Sequence, residues 1–176
     1  MKNLVLYNGF LKIFERRHRG QSYEVMDRGN AVNVLIVRPG LTAETDQFYF
    51  GVQYRAGANQ EMQTCAAGMV DMGEKPEQAA RREAMEEAGA TGKLVHVGGG
   101  FTSAGGTTEY MDQYVMILDQ LHTPTDLSEG IEWGWLDYEF VKELIFNKGH
   151  FSSMQTTNVV QSYLLNRDNI LNSEGV

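Results

Sequence analysis

Residues 68–90 constrain this chain more than any other stretch, because a glycine-bearing loop there leads directly into an acidic helix. The helix is predicted from Pro76 to Ala88, since proline suits the first helical turn and Gly89 suits the left-handed residue that ends a helix. At about 100° per residue, three of its glutamates share one face: Glu83, Glu86 and Glu87. Like charges this close repel one another, and a cation among them relieves the repulsion. The stretch therefore predicts a metal site.

A ridge of small side chains lies beside the acidic face of the predicted helix. Ala80, Ala84 and Ala88 recur every four residues, so the helix can lie close against a sheet and hold its acidic edge in place. Arg82 is four residues before Glu86, close enough to orient a carboxylate by charge-assisted hydrogen bonds. A solvated helix face is the alternative interpretation of such a charge pattern.

The spacing of the residues argues against a merely solvated face. The stretch satisfies each position of the pattern G-x5-E-x7-R-E-U-x-E-E-x-G-U, where U is apolar, with Gly68, Glu74, Arg82, Glu83, Ala84, Glu86, Glu87, Gly89 and Ala90. It therefore resembles the Nudix box, the signature of the Nudix hydrolase superfamily. The resemblance implies an enzyme and the Nudix fold.

Composition limits the class of protein further. The chain has 176 residues, 42% of them hydrophobic, which suits one globular domain with its own core. Its net charge of −8 disfavours nucleic acid as a partner, so an anionic substrate would be held by metal and a few arginines. Lacking a long apolar run or a signal peptide, the protein is expected to be soluble and cytoplasmic, with no membrane partner. The single cysteine, Cys65, excludes an internal disulfide and is predicted to be a small buried side chain.

Short strand-like runs dominate the first half of the chain. Three of them precede the core and are separated by a basic turn at residues 16–20; the runs are residues 4–7, 9–14 and 22–26. The apolar run Ala31–Val37 is predicted to be a strand buried on both sides and paired with residues 47–54. Residues 62–67 are predicted to form one short strand that delivers Gly68.

The second half is predicted to add strands and two helices. Strands are expected at residues 93–97, 110–118 and 132–136. A glycine-rich connection at residues 98–106 joins the first two of them. One helix is capped by Asp137 and ends at Gly149, another covers Thr156–Asn166, and the segment after Arg167 is expected to be frayed. Strands on either side of a central helix, with further helices near the end, predict an α/β (α+β) fold, a mixed β-sheet sandwiched between helices. The Nudix resemblance implies the same architecture.

Three regions follow from this pattern. Residues 1–30 form an N-terminal antiparallel strand extension, residues 31–166 a Nudix hydrolase domain, and residues 167–176 a flexible tail. The extension carries apolar runs outside the core, and such runs must be buried somewhere. Since two-fold pairing is the commonest way to bury such strands, a homodimer formed through them is expected.

Four collinear motifs outside the box resemble the branch that hydrolyses ADP-ribose and GDP-mannose. They are Tyr7-x-Gly9-Phe10, Glu24-Val-x-x-Arg28-Gly29-x-Ala31, Gln53-Tyr54-Arg55 and Ser103-x-Gly105-Gly106-x-Thr108-Glu109, and the resemblance covers about residues 4–150. The chain departs from this branch twice. Thr64 stands where a glutamate is usual, which removes an auxiliary acid, and Ala104 stands where a proline is usual, which makes the substrate loop less rigid. Both departures affect the substrate assignment more than the reaction type.

The resemblance implies hydrolysis of the pyrophosphate bond of a nucleoside diphosphate sugar, ADP-ribose to AMP and ribose 5-phosphate above all. Carboxylate oxygens suit Mg²⁺, with Mn²⁺ as an alternative, and no Cys/His cluster indicates zinc. The i, i+4 spacing of Glu83 and Glu87 stacks them as direct ligands, whereas Glu86 binds directly or through water. The resemblance adds the carbonyl of Ala67 as a further ligand.

Catalytic and substrate-binding candidates complete the predicted site. The resemblance indicates Glu129, on the loop before the last strand, as the general base, with Asp126 and Glu132 as alternatives; Glu86 and Arg82 are the other catalytic candidates. The substrate-binding candidates are Arg28, Arg55, Gly105, Gly106 and Glu109. Arg28 has a structural ion pair as its alternative, and Glu109 either accepts hydrogen bonds from ribose hydroxyls or caps its loop.

Two other functions stay open at this point. GDP-mannose or another nucleotide sugar is the alternative substrate, and a non-catalytic Nudix-like nucleotide sensor is the alternative class. Sensors typically lose box carboxylates, whereas this chain keeps all of them. The pattern therefore favours an enzyme.

Overall fold

The computed structural model describes residues 4–9, 11–146 and 153–176. Ten strands and three α-helices follow one another in these ranges: β1 (Leu4–Asn8), β2 (Lys12–His18), β3 (Gln21–Asp27), β4 (Ala31–Arg38), β5 (Gln47–Arg55), β6 (Gln60–Thr64), β7 (Ala66–Met69), α1 (Pro76–Ala88), β8 (Ala90–Phe101), β9 (Tyr110–Leu121), β10 (Glu132–Asp137), α2 (Tyr138–Phe146) and α3 (Met154–Asn172). The predicted helix at Pro76–Ala88 is confirmed at both ends, and Gly89 has the left-handed φ of 63° that was expected.

The larger sheet is mixed. Its strand order is β10-β5-β4-β9-β8, with β6 paired to β5 and β7 paired to β4. β4 runs parallel to β9 and antiparallel to β5 and β7. All residues of β4 except Arg38 are buried, because this central strand is covered on both faces, as its continuous apolar sequence predicts.

Helices cover both faces of this sheet. On one face the α1 alanines, each at most 1% exposed, pack with Val32, Val34 and Ile36 of β4. On the other face Val159, Val160 and Tyr163 of α3, together with α2, pack with Leu35 and Val37 of β4. Alternation along β4 therefore supplies both hydrophobic cores, and the predicted sandwich of a mixed sheet between helices is confirmed.

A separate three-stranded sheet, in the order β1-β2-β3, precedes the main sheet. Its β2–β3 turn is Arg19–Gly20, both at positive φ, so Arg16 to His18 belong to the strand and not to the predicted turn. Phe10 of the first motif lies outside the described residues. The end of β3 is attached to the 102–109 loop, since Met26 N–H donates to the Gly106 carbonyl (2.8 Å) and Thr108 N–H donates to the Met26 carbonyl (3.0 Å).

Two strand predictions are corrected by pairing between distant segments. The first part of the predicted connection at residues 98–106 belongs to strand β8, which continues to Phe101, because Gly98, Gly99 and Gly100 pair with β9. The predicted single strand at residues 62–67 is two strands, interrupted at Cys65, because β6 pairs with β5 whereas β7 pairs with β4. Local composition carries no information about such partners. Cys65 is buried, as expected.

The C-terminal segment is anchored rather than frayed. Helix α3 continues to Asn172, with one non-helical residue at Asn166 (φ −126°). Just beyond it, Arg167 Nε and Nη2 donate to the carboxylate of Asp46 (2.7 and 2.8 Å), and Tyr163 Oη donates to the same group (2.7 Å). Burial alone would raise the pKa of Asp46, but these bonds, together with one from Gly40 N–H, hold that pKa below its usual value. The predicted helix end at Gly149 lies outside the described residues.

No helix in the described part of the chain combines the length and apolar character needed to cross a membrane.

Candidate active site

The acidic edge of α1 is turned into the protein and not into solvent. Glu83 and Glu87 are only 9% and 8% exposed, whereas the Glu86 side chain is 40% exposed. Gly68 of β7 lies directly against Glu83, and any side chain at residue 68 would overlap the Glu83 carboxylate. The box glycine is therefore required by close approach of the strand to the helix.

Arg82 ties the loop to the helix. Its Nη1 donates to Glu83 Oε1 (2.6 Å) and to Glu86 Oε2 (3.0 Å), and its Nε donates to Glu74 Oε1 (3.1 Å). Its Nη2 also donates to the Met69 carbonyl (2.9 Å). One guanidinium thus orients three of the box glutamates and fixes the loop backbone.

Burial dominates the electrostatics of the two inner glutamates. It raises the pKa of Glu87 to about 8, with further increases from the nearby charges of Glu129 and Glu83, against a hydrogen bond from Ala67 N–H (3.0 Å) and the charge of Arg55. Burial also raises the pKa of Glu83, although Arg82 opposes this change. Two desolvated carboxylates on the same helix edge, of which only Glu83 is paired with Arg82, form an environment that a bound cation would stabilise.

The donor chemistry at this edge is oxygen only, which fits a hard divalent cation such as Mg²⁺. Within residues 4–9, 11–146 and 153–176, no three Asp, Glu, His or Cys side chains are arranged as a metal-binding group. The reason lies in Arg82, to which both Glu83 and Glu86 are turned. Ala67 lies beside Glu87, to which its N–H donates (3.0 Å); its carbonyl as a metal ligand stays a prediction. The residues present match Mg²⁺ in chemical type, with Glu87 the inner carboxylate that Arg82 does not engage.

A cavity of about 400 Å³ opens beside this edge and brings most of the predicted substrate-binding residues together. Arg28, Arg55 and Glu109 line it along with Ala67 and Gly68. The predicted residues Gly105 and Gly106 are not among its lining residues. Two positive side chains therefore border the same space as the box glycine, which suits an anionic ligand.

The cavity residues also make contacts with one another. Arg28 Nε lies 3.5 Å from Glu109 Oε1, and Thr102 Oγ1 donates to Glu109 Oε2 (2.7 Å), so the ion-pair and loop-capping alternatives are both seen in this state. Arg55 Nη2 donates to Thr64 Oγ1 (2.8 Å). Thr64, which occupies the position of the usual glutamate, therefore positions an arginine without neutralising it.

The candidate base Glu129 lines a second cavity, of about 290 Å³, together with Glu87. Gln53 Nε2 donates to Glu129 Oε2 (2.6 Å), and the charge of Glu129 raises the pKa values of Glu83 and Glu87. Asp126 and Glu132 border the same cavity. Asp126 is engaged with its own loop, since Ser128 N–H donates to its carboxylate (2.8 Å).

Two residues of the site are not among the functional residues predicted from the sequence. Gln53 belongs to one of the motifs, and strand alternation places it on the same side of β5 as Arg55, so its position relative to Arg55 is a signal in the sequence. Trp133 lines the cavity that holds Glu129 and Glu87, and nothing in its local sequence indicated this.

The raised pKa of Glu87 predicts a pH-dependent stability of the metal-free protein. The folded state binds this proton more tightly than the unfolded chain, so the resulting stability is fully present below about pH 4 and is lost as pH rises towards 8. In chelator, Glu87→Gln should gain stability relative to the wild type between pH 5 and pH 8, by more than about 1.4 kcal/mol, the value of one pKa unit. Urea unfolding at both pH values measures this difference.

Glu143→Gln is the matched control, because Glu143 is exposed on α2 and loses the same charge. It should show no such pH dependence. Mg²⁺ added at pH 8 should raise the stability of the wild type and leave Glu87→Gln unchanged. A wild type and a Glu87→Gln variant with parallel pH profiles would contradict the assignment of Glu87 as a buried, uncompensated carboxylate.

Comparison with known proteins agrees with this geometry. No curated protein matches the chain significantly. The model of the NUDIX domain family matches residues 27–156, which include β4 to β10, α1, α2, and every residue of the acidic site described above. The match covers most of the chain and contains both cavities' carboxylates. This protein belongs to the NUDIX domain family.

Proposed function

We propose that this protein hydrolyses the pyrophosphate bond of a nucleoside diphosphate sugar, with ADP-ribose converted to AMP and ribose 5-phosphate as the leading reaction. Membership of the NUDIX domain family supports hydrolysis of nucleoside diphosphate derivatives generally, and such enzymes generally use divalent metals such as Mg²⁺. The observation that carries the finer proposal is the cavity in which Arg28, Arg55 and Glu109 lie next to the Gly68 end of the acidic site. It offers positive charge for a diphosphate and a carboxylate for sugar hydroxyls.

The chemical step needs charge neutralisation and a proton acceptor. A divalent cation held by Glu83 and Glu87, with Glu86 nearby, would neutralise the diphosphate oxygens and lower the pKa of a water molecule. Glu129 takes the proton as the water oxygen forms its bond to phosphorus. The bond between that phosphorus and the bridging oxygen then breaks, and its electron pair leaves on the bridging oxygen with the other phosphate group. Arg82 holds the carboxylates in place, because it donates to Glu83 and Glu86 at once.

The arginines and Glu109 determine which diphosphates fit. Arg55 is fixed by Thr64, and Arg28 is held by Glu109, so both guanidinium groups are oriented before a ligand arrives. The 102–109 loop, which carries Gly105 and Gly106, is held to β3 through Met26. These two glycines do not line the cavity. Their proposed role is to let the loop approach a ligand, because they carry no side chains.

The sensor alternative is less well supported. A binding protein without turnover has no need for buried, like-charged glutamates, which cost folding free energy unless a cation compensates them. Glu83 and Glu87 are both retained and buried in this chain. GDP-mannose differs from ADP-ribose in its base, its sugar and the sugar carbon that carries the diphosphate, but the bond to be hydrolysed is the same, so it is a second substrate to assay and not a different mechanism.

Glu87→Gln should lower turnover by a hundredfold or more, since removal of one electrostatic partner of the transition state acts on about that scale. The assay is phosphate-ester product formation with Mg²⁺ on ADP-ribose, GDP-mannose, NADH and dinucleoside polyphosphates. Glu143→Gln serves as the matched control and should remain active. An active Glu87→Gln enzyme with unchanged Mg²⁺ dependence would refute the metal assignment, and preference for a dinucleoside polyphosphate would refute the sugar assignment.

Glu129→Gln should reduce kcat far more than it changes KM, because a base acts in the chemical step. Asp126→Asn and Glu132→Gln are the comparison variants, each losing one carboxylate that borders the same cavity. Both should keep most of the activity. A near-normal Glu129→Gln enzyme, with a large loss in either comparison variant, would move the base to that residue.

We also propose that the active unit is a homodimer formed through the N-terminal sheet. Val5, Leu6 and Tyr7 of β1 are 61%, 46% and 56% exposed, more apolar surface than one strand of a monomer usually leaves in water. Arg28 lines the cavity of its own chain, so mixing inactive Arg28→Ala and Glu87→Gln subunits should restore almost no activity. Recovery in hybrid dimers would instead place Arg28 in the partner's site, and light scattering that shows a monomer at assay concentration would end this proposal.

A further inference from the structure

The indole of Trp133 is placed at the boundary between the main sheet and the candidate active site. Trp133 lies on β10 opposite Gly51 of β5, and its ring stacks on Tyr49 with 5.4 Å between ring centroids. A side chain at Gly51 would press on this ring, so the indole sits closely on the strand backbone. The ring is therefore held in one orientation by packing.

The Nε1–H group of this indole is buried and has no hydrogen-bond acceptor among residues 4–9, 11–146 and 153–176. Within those ranges it is the single buried side-chain nitrogen or oxygen without such a partner. An unsatisfied buried donor is costly, so its presence in a folded protein calls for an explanation, and a catalytic role is one of those known. The same indole lines the cavity of about 290 Å³ that also contacts Glu87 and Glu129.

Four carboxylates border this cavity, and two of them, Glu87 and Glu129, differ in how their side chains are held. Glu87 projects from the last turn of α1 and already accepts a hydrogen bond from Ala67 N–H. Glu129 lies on the exposed 122–131 loop, next to Gly130 at φ 63°, and accepts from the side chain of Gln53. The Glu129 side chain can therefore exchange one donor for another by rotation, whereas Glu87 is already bonded to β7.

We propose that Trp133 is a positioning residue for Glu129, whose carboxylate leaves Gln53 and accepts the Trp133 Nε1–H bond in the working state of the site. This inference rests on the proposed function, because it assigns a partner to the proposed base. The exchange gives the buried Trp133 Nε1–H a hydrogen-bond acceptor. It also turns the Glu129 carboxylate from Gln53 towards the indole, within the cavity that Glu129 shares with Glu87. Gln53 then marks the resting position of the base and Trp133 its working position.

A double-mutant cycle tests the coupling. Trp133→Phe keeps an aromatic ring on Tyr49 but removes the N–H, and it should lower kcat about tenfold or more with little change in KM, since misplacement of a catalytic group acts on that scale. In a Glu129→Gln background the same substitution should have almost no further effect, because the group that it positions is already lost. Trp135→Phe is the matched control: Trp135 is on the same strand and also contacts Tyr49, at 4.8 Å.

The control should leave kcat nearly unchanged. Equal losses from Trp133→Phe in the wild-type and Glu129→Gln backgrounds would overturn the proposal, because a structural role adds independently of Glu129. Circular dichroism and thermal melting of each variant show whether it is folded.

A second measurement does not depend on turnover or on replacing the tryptophan. The chain has two tryptophans, so its proton–nitrogen NMR spectrum has two indole signals. The signal that disappears in Trp133→Phe belongs to Trp133. If that variant does not fold, the signal that remains in Trp135→Phe belongs to Trp133. Adding Mg²⁺ and α,β-methylene ADP-ribose should move the Trp133 indole proton downfield in the wild type and not in Glu129→Ala. An unmoved signal in the wild type, or an equal shift in Glu129→Ala, would overturn the proposal.

The two levels of inference fail separately. A wild-type enzyme that hydrolyses no nucleoside diphosphate sugar contradicts the proposed function, on which the indole measurement with the substrate analogue depends. Normal hydrolysis with additive kinetics contradicts only the Trp133 inference.

Discussion

The burial of two glutamates against a glycine is the constraint on which the rest of this structure depends. Glu83 and Glu87 are turned towards β7, where Gly68 leaves room for the Glu83 carboxylate and Ala67 N–H donates to Glu87. Burying like charges opposes folding, so the protein must offset this cost elsewhere. The alanine ridge of α1 does so by close packing on β4, and Arg82 does so by bonding to Glu83. The same contacts therefore hold the helix on the sheet and hold the acidic site in shape.

The mixed sheet explains why charged groups from distant parts of the chain lie around this edge. β4 is the shared neighbour of β5, β7 and β9, so residues 55, 67 and 109 converge although they are far apart in sequence. The N-terminal sheet is connected to the same region, because Met26 bonds to both Gly106 and Thr108. A change in how the N-terminal sheet packs would thus act on the loop that carries Glu109. This connection supplies a physical route by which assembly through β1 would affect the ligand cavity.

The opposite face of the sheet is fixed by a different kind of interaction. There Asp46, whose side chain is fully buried, accepts bonds from Tyr163 and Arg167. A buried ion pair of this type contributes less net stability than its short distances suggest, but loss of one partner leaves a buried charge without compensation. It holds α3 beyond its non-helical residue at Asn166. The 122–131 loop that carries Glu129 is instead attached to the end of α1, since His122 N–H donates to the Gly89 carbonyl (2.7 Å) and Asp126 N–H to the Glu86 carbonyl (2.9 Å).

Sequence alone determined the helix from Pro76 to Ala88, its left-handed end at Gly89, the central buried strand and the chemical type of the site, because these depend on local spacing and periodicity. The split of residues 62–67 into two strands and the continuation of β8 through Gly98 were decided by pairing with distant strands. The same is true of the anchoring of Arg167 by Asp46. Tertiary structure also decided that Arg82 engages Glu83 and Glu86, that Glu129 rests on Gln53, and that the Trp133 indole N–H is buried without an acceptor in the described residues. The physical reason is that periodicity is a property of neighbouring residues, whereas burial and hydrogen-bond partners exist only after strands far apart in sequence have come together.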